Sequence, residues 1–273
     1  MGIAGGPMML RLAGMLHLTV LCAALAGCGG RAASPVADLP AASITAPNFA
    51  DADPHEFGGG GPRSYPVHGI DISRFQTAVD WQTARANGVN FAFIKATEGG
   101  DLLDPMFRDH WRGAGRAGVK RGAYHFYYHC RPAIEQARWF IAHVPRVAGA
   151  LPPVLDMEWT PTSPTCTIRR EGAVIRAEAK IFLDALQAHY GQRPVVYVTV
   201  DFFADTEMWK LGGTEFWLRS VSADPGVRYP GQAWTFWQYT SSGLVPGVQG
   251  EADINVFGGG AAGWAAWLAA RSQ

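Results

Sequence analysis

Four acidic residues sit at the ends of strands that the sequence predicts: Asp71, Asp156, Glu158 and Asp253. The sharpest case is Val154-Leu155-Asp156-Met157-Glu158-Trp159. An apolar run this short reads as a buried strand, and it ends in two carboxylates at i and i+2. Alternate strand residues point to the same side, so their Cα atoms would stand about 6.5–7 Å apart at a rise of ~3.3 Å per residue. Close carboxylates repel, and burial makes the less solvated one harder to ionise. One can then hold a transferable proton near neutral pH while the other stays charged, which is the division of labour that breaking a glycosidic bond requires. The plainer reading is a solvated acid pair in a loop, and the buried run leading into it argues against that. Asp71, in His68-Gly69-Ile70-Asp71-Ile72-Ser73, and Asp253, in Glu251-Ala252-Asp253-Ile254-Asn255, are weaker signals alone. An Asp at a strand end is more often a cap or an ion-pair partner.

A metal-dependent polysaccharide deacetylase is a competing chemistry. His125 and His129 are spaced i, i+4, which on a helix would aim two imidazoles at one zinc ion. Yet Gly122 to Tyr128 is aromatic and reads as a strand, where that spacing spans ~13 Å. No metal ligand set and no cofactor is therefore assigned. The formal net charge is zero, and no basic stripe suggests nucleic acid. The ten Trp, eight Tyr and fourteen Phe suit a large core, and sugar-binding clefts use the same residues for ring stacking.

The elements that must position these acids alternate between two periods. Strands are expected over Val67–Ile72, Phe91–Lys95, Gly122–Phe126, Pro153–Met157, Pro194–Val200, Glu215–Arg219, Ala233–Tyr239 and Ala252–Val256. Helices are expected over Asp80–Asn87, Pro105–Ala117, Pro132–His143 and Ile168–Tyr190, with a short one after Asp201 and a closing one around Trp264 and Trp267. In the longest helix Val174, Ala177, Ile181 and Ala185 keep helical spacing, with Phe182 and Leu186 alongside. Strands separated by helices imply parallel pairing with right-handed crossovers. Eight of them imply an α/β barrel, irregular because little helix separates the last three strands. Catalytic groups in such barrels gather at the C-terminal ends of the strands, where the four acids stand.

Arg11 precedes an apolar run from Leu12 to Ala26 that ends in Leu25-Ala26-Gly27-Cys28. The run is short for a membrane span and fits a signal peptide, and its end has the form of a bacterial lipobox. Residues 1–27 are thus expected to be a lipoprotein signal, with Cys28 lipidated. Residues 28–64, rich in Ala, Pro and Gly, read as a flexible tether, and 65–273 as the catalytic domain. Gly29 and Gly30 follow the Cys where an Asp often retains lipoproteins in the inner membrane, so the outer membrane is the expected location. The expected membrane contact is through the lipid alone, and the domain is expected to act as a monomer. Export leaves Cys130 and Cys166 in an oxidising compartment, and they are expected to form a disulfide.

The segments His68-Gly69-Ile70-Asp71-Ile72-Ser73, Phe91-Ala92-Phe93-Ile94-Lys95-Ala96-Thr97-Glu98-Gly99, Gly122-Ala123-Tyr124-His125-Phe126, Asp156-Met157-Glu158 and Trp237-Gln238-Tyr239 occur in that order. Together they resemble glycoside hydrolase family 25, the Chalaropsis-type lysozymes, from about Val67 to Phe257. The resemblance implies an irregular TIM-like barrel of five β/α units followed by extra strands. It implies cleavage of the β-1,4 bond from N-acetylmuramic acid to N-acetylglucosamine, so that peptidoglycan glycan strands are the partner. Glu158 matches the general acid and is accordingly expected to be the least solvated member of the cluster. Asp156 matches the acid that stabilises the reacting sugar or its N-acetyl group, and Asp71 and Asp253 the flanking acids. Tyr124, Gln238, Trp237 and Tyr239 fall on motifs associated with substrate, and Lys95 and Glu98 on a motif beside the cleft. Direct attack by Asp156 would need carboxyl groups ~5–5.5 Å apart, and an inverting enzyme ~6.5–9.5 Å. A third route, which the resemblance favours, uses the sugar's own acetamido oxygen as the nucleophile. A non-catalytic glycan-binding protein on the same fold is the other reading, and the presence of all four acids argues for catalysis.

Overall fold

In the computed structural model of the chain, residues 1–2 and 43–271 are described. The expected signal peptide and Cys28 lie outside these residues. The described strands, in order, are β1 (Ala50–Asp51), β2 (His68–Ile72), β3 (Phe91–Glu98), β4 (Leu102–Leu103), β5 (Lys120–Phe126), β6 (Val154–Met157), β7 (Val195–Val198), β8 (Glu215–Arg219), β9 (Phe236–Leu244) and β10 (Ala252–Phe257). The helices are α1 (Trp81–Ala86), α2 (Phe107–Arg116), α3 (Ala133–His143), α4 (Gly172–Tyr190), α5 (Val200–Asp205), α6 (Pro225–Arg228) and α7 (Ala261–Ala269).

Eight strands pair in the closed order β2-β3-β5-β6-β7-β8-β9-β10, with β10 returning to β2. Neighbours from β2 round to β9 run parallel, and β10 alone is antiparallel to both its partners. A parallel pair needs a crossover, and α1 to α5 supply it in turn. Between β8 and β9 the crossover carries only the four-residue α6, and a hairpin joins β9 to β10. The barrel is mixed α/β and distorted on that side.

Period-two alternation explains how the barrel fills. Outward residues such as Ile70, Ile94, Leu155, Val196 and Leu218 join one core with the helices. Inward residues form a second, more aromatic core: Phe91, Phe93, Val154, Val195, Trp217 and Phe236. Phe93 stacks on Trp217 with ring centroids 4.7 Å apart. Two glycines make room for these rings. A Cβ on Gly69 would stand 2.6 Å from the Phe91 ring, and one on Gly122 would stand 2.8 Å from that of Phe93. Further along each parallel strand the inward positions turn polar: Asp71, Lys95, Tyr124, Asp156, Arg219 and Gln238. Asp253 joins them from the start of β10, not from a C-terminal strand end as expected, because that strand runs antiparallel. The apolar layers close the lower barrel, so the polar layer at the strands' C-terminal ends faces a dry floor.

Two expectations need correction. The stretch 28–64 is expected to be a tether, but its later part is built onto the barrel. β1 pairs with β9, Asn90 and Thr45 bond each other through both the Asn90 Oδ1 and Nδ2, and Phe57 packs edge-on against Trp237. Isolated Ile44, Phe49 and Phe57 among Pro and Gly show no periodicity, so the packing had no signature. The buried face of α4 is Ile175, Ala179, Phe182, Leu183, Leu186 and Tyr190, while Val174 and Ile181 are exposed. Two apolar ladders share this helix, and the bulkier one wins because it removes more area from water.

Candidate active site

Asp71 is the hub of the polar layer. Its cross-strand partner on β10 is Asp253, and Asn255 on β10 opposes Gln238 on β9. Both amides donate to Asp71 Oδ2, Gln238 at 2.9 Å and Asn255 at 2.8 Å. The orientation of each amide is fixed from behind: Tyr197 donates to the Gln238 carbonyl at 2.9 Å, and Trp217 to that of Asn255 at 2.7 Å. The two NH₂ groups therefore point at the carboxylate. Burial pushes Asp71 up to about 6, held back by these amides, by a hydrogen bond from Asp253 and by the Arg219 charge. Burial, then the Asp71 charge, pushes Asp253 up to about 9. The pair thus shares one proton across the neutral range, carried by Asp253 and donated to Asp71.

Asp156 and Glu158 stand beside this pair at the mouth of β6. Burial is the main cause that raises both. Glu158, more exposed at the rim and eased by Arg219 and Lys95, is pushed up to about 7. Asp156, buried and facing the Glu158 charge, is raised well above the usual carboxylate range. Its Oδ1 is buried without a hydrogen-bond partner among the described residues. The sequence assigns the least solvated position to Glu158; the structure assigns it to Asp156, because β6 ends between them and leaves Glu158 at the lip. Lys95 donates to Glu98 at 2.7 Å and lies over the Phe126 ring at 4.4 Å. Tyr128 also donates to Glu98, so Glu98 is held ionised below its ordinary range despite burial. Glu98 anchors the lysine, and the lysine supplies positive charge to the acid pair.

The structure brings Asp71, Asp156, Glu158, Asp253, Lys95, Glu98, Tyr124 and Gln238 together. Tyr124 is buried, and burial together with the charges of Asp71, Asp156 and Asp253 keeps its phenol protonated. Trp237 and Tyr239 do not join the cluster. They alternate with Gln238 and face outwards: Trp237 is fully buried and donates to the Ser220 carbonyl at 2.8 Å, and Tyr239 meets His68 Nδ1 at 3.1 Å. The motif is contiguous, but a strand splits it between two faces. His125 sits on β5 between Thr97 (2.7 Å) and Gln136 (3.0 Å). His129 lies in the following loop with Nε2 on the Glu158 carbonyl at 3.0 Å. The two do not share a helix face. Arg219, Tyr197 and Asn255 were missed. Arg219 has the inward parity of Trp217 at the end of a strand whose limits were read correctly, and a cation so placed among acids was the available signal.

Cys130 and Cys166 are joined, with Cα atoms 5.7 Å apart. They tie the loop after β5 to the loop after β6, the one that carries Glu158. With a sequence separation of 36, the bridge should contribute about 3–4 kcal/mol on the chain-entropy model. Cys130→Ser is accordingly expected to lower the midpoint of thermal unfolding by several degrees, and non-reducing peptide mapping of the native protein should recover the linked pair. Two free thiols there would remove the bridge from the picture.

The fold and the site together define a barrel hydrolase with a buried carboxylate cluster at the C-terminal ends of its strands. Residues 70–248 match the family model described as Glycosyl hydrolases family 25. The chain belongs to that family, and so is a glycoside hydrolase. It is 35% identical over 206 residues to the uncharacterized protein YegX of Escherichia coli K12, covering 72% of each chain. It is 34% identical over 212 residues to Lysozyme M1 of Streptomyces globisporus, covering 72% of this chain and 69% of that one. The crystal structure of a bacterial lysozyme from Streptomyces coelicolor superposes with a TM-score of 0.67 at 32% identity, over 75% of this chain and 98% of the other.

Proposed function

We propose that the protein is a muramidase that hydrolyses the β-1,4 bond from N-acetylmuramic acid to N-acetylglucosamine in peptidoglycan. The observation that carries this reading is the Asp156–Glu158 pair, with its raised proton affinity and the unpartnered Asp156 Oδ1. Glu158, at the rim, donates its proton to the departing glycosidic oxygen. Asp156 accepts the N–H of the sugar's 2-acetamido group at the oxygen the protein leaves empty. That hydrogen bond favours its ionised form, which orients the acetamido oxygen towards the anomeric carbon and offsets positive charge there. Asp71, with its two amides and Asp253, holds the sugar's other flank. In family terms we read the barrel as five β/α units, β2α1 to β7α5, followed by three extra strands. Digestion of purified peptidoglycan with the protein should release muropeptides whose new reducing ends are N-acetylmuramic acid. New reducing N-acetylglucosamine ends would overturn the reading.

The same reading places the enzyme outside the cytoplasmic membrane, anchored through Cys28. The support is the apolar run before Leu25-Ala26-Gly27-Cys28. A clickable fatty acid should label the wild-type protein and not Cys28→Ala. Equal labelling of both would dispose of the anchor.

A further inference from the structure

On the outer wall, between α2 and α3, a cavity of about 470 Å³ carries a concentration of unopposed positive charge. Arg108 and Arg112 line it from α2, and Arg146 from the loop after α3, with His143 and His189 beside them. No carboxylate is among its lining residues. Several other surface arginines of this neutral chain are paired, among them Arg131 with Asp101, Arg169 with Asp205 and Arg193 with Asp184. The exposed Arg63, Arg116 and Arg138 are not paired among the described residues, but they do not line this cavity. Arg108, Arg112 and Arg146 have no ion pair and no side-chain hydrogen bond among the described residues. Arg121 adds a further cation behind the groove, its guanidinium 4.7 Å from the Trp111 ring.

Helix chemistry accounts for part of this pattern and fails for the rest. His143 and His189 occupy the last turns of α3 and α4, where positive groups suit the helix dipole. Arg108 lies in the first turn of α2, where that dipole disfavours it, and at i, i+4 it is repelled by Arg112. Folding alone gains nothing from them there. Helices that follow barrel strands run back towards the strands' N-terminal ends. The groove is lined by the C-terminal ends of α3 and α4 and by one face of α2, and no residue of the acid cluster lines it, so it is a separate feature.

We infer that this groove is a second binding site, for a phosphate ester. Three guanidinium forks around one cavity match a multiply charged oxyanion, which accepts paired N–H donors from arginine. The largely buried Phe107 and Trp111 rings give it an apolar base that suits a phosphate carried on an organic stem. Such a group could belong to a soluble phosphorylated glycan or to a phospholipid headgroup, and the test separates these.

The Cys28→Ala chain, unable to carry its own lipid, is titrated calorimetrically with sn-glycerol 3-phosphate. It is also sedimented with vesicles of phosphatidylglycerol in phosphatidylcholine. The comparison protein carries Arg108→Gln, Arg112→Gln and Arg146→Gln together; these are exposed side chains whose loss leaves the barrel core intact. Saturable binding of either probe, at least tenfold weaker in the triple variant, with peptidoglycan turnover unchanged, is the expected result. Binding of both the free ester and the vesicles, or of the ester alone, assigns a soluble source. Retention by phosphatidylglycerol vesicles alone assigns a headgroup. No saturation by either probe, equal binding by the triple variant, or displacement by acetate at the same concentration as by phosphate would overturn the site.

Discussion

Glu158→Gln is expected to lower turnover on peptidoglycan by roughly 10²–10⁴-fold, the usual loss when a general acid is removed. The amide keeps the shape of the carboxyl and removes its transferable proton. Binding should survive, because Glu158 is the rim member of the cluster and the deeper contacts remain in place. Its backbone is held independently of its side chain, through His129 Nε2 on the Glu158 carbonyl and the Cys130–Cys166 bridge in the flanking loops. A loss in kcat with little change in KM is therefore the signature, since the missing interaction belongs to the transition state alone. Burial is also what makes the acid useful. At about 7 its proton affinity matches the operating range of a general acid, whereas an ordinary glutamic acid is almost wholly ionised at neutral pH. The measurement is steady-state release of reducing ends from purified peptidoglycan, alongside unfolding curves for both proteins. A well-folded Glu158→Gln enzyme that works at near wild-type rate would exclude Glu158 as the acid.

The acids were legible in the sequence because parity in a strand carries over directly into space. Val154, Asp156 and Glu158 lie on one side in any strand, and a buried run fixes which side is inward. The same rule should have separated Gln238 from Trp237 and Tyr239, but a contiguous motif masked it. What stayed hidden depends on closure of the barrel. Asp71 and Asp253 are 182 positions apart, and only the return of β10 to β2 makes them one proton-sharing pair. The amides of Gln238 and Asn255 become ligands of Asp71 only through that register. Relative solvation is hidden for the same reason. It depends on which residue stands at the lip, a matter of strand length that period-two reading does not resolve. Hence the sequence assigns the driest position to Glu158 and the structure to Asp156.

That reversal fixes the expected behaviour of Asp156→Asn. Both carboxyls are raised, so the pair titrates as a unit. Its first ionisation lies near the value of about 7 to which burial pushes Glu158, and its second lies well above, where Asp156 must ionise against an existing charge. Catalysis on the proposed route uses the singly protonated pair, with the proton on Glu158 once the acetamido N–H reaches Asp156 Oδ1. Raising the pH through the first step should therefore switch wild-type activity on, and raising it through the second should switch it off. In Asp156→Asn the remaining proton is that of Glu158 alone, whose loss ends activity. Its alkaline limb should fall back to about pH 7, since a neutral amide leaves Glu158 much as a protonated Asp156 does. The rate should drop as well, because the charge that stabilises the reacting sugar is gone. Combined with Glu158→Gln, the loss should be far smaller than the product of the two separate losses, as both groups serve one transition state. Stability should move the other way. A carboxyl raised in the folded state stabilises most below its ordinary range and loses that contribution as pH rises through its folded value. Removing Asp156 should accordingly raise thermal stability at pH 8 relative to wild type, by more than it does at pH 4. An alkaline limb that stays above pH 7 in Asp156→Asn would show that the two carboxyls do not share their proton, and the division of roles between them would have to be abandoned.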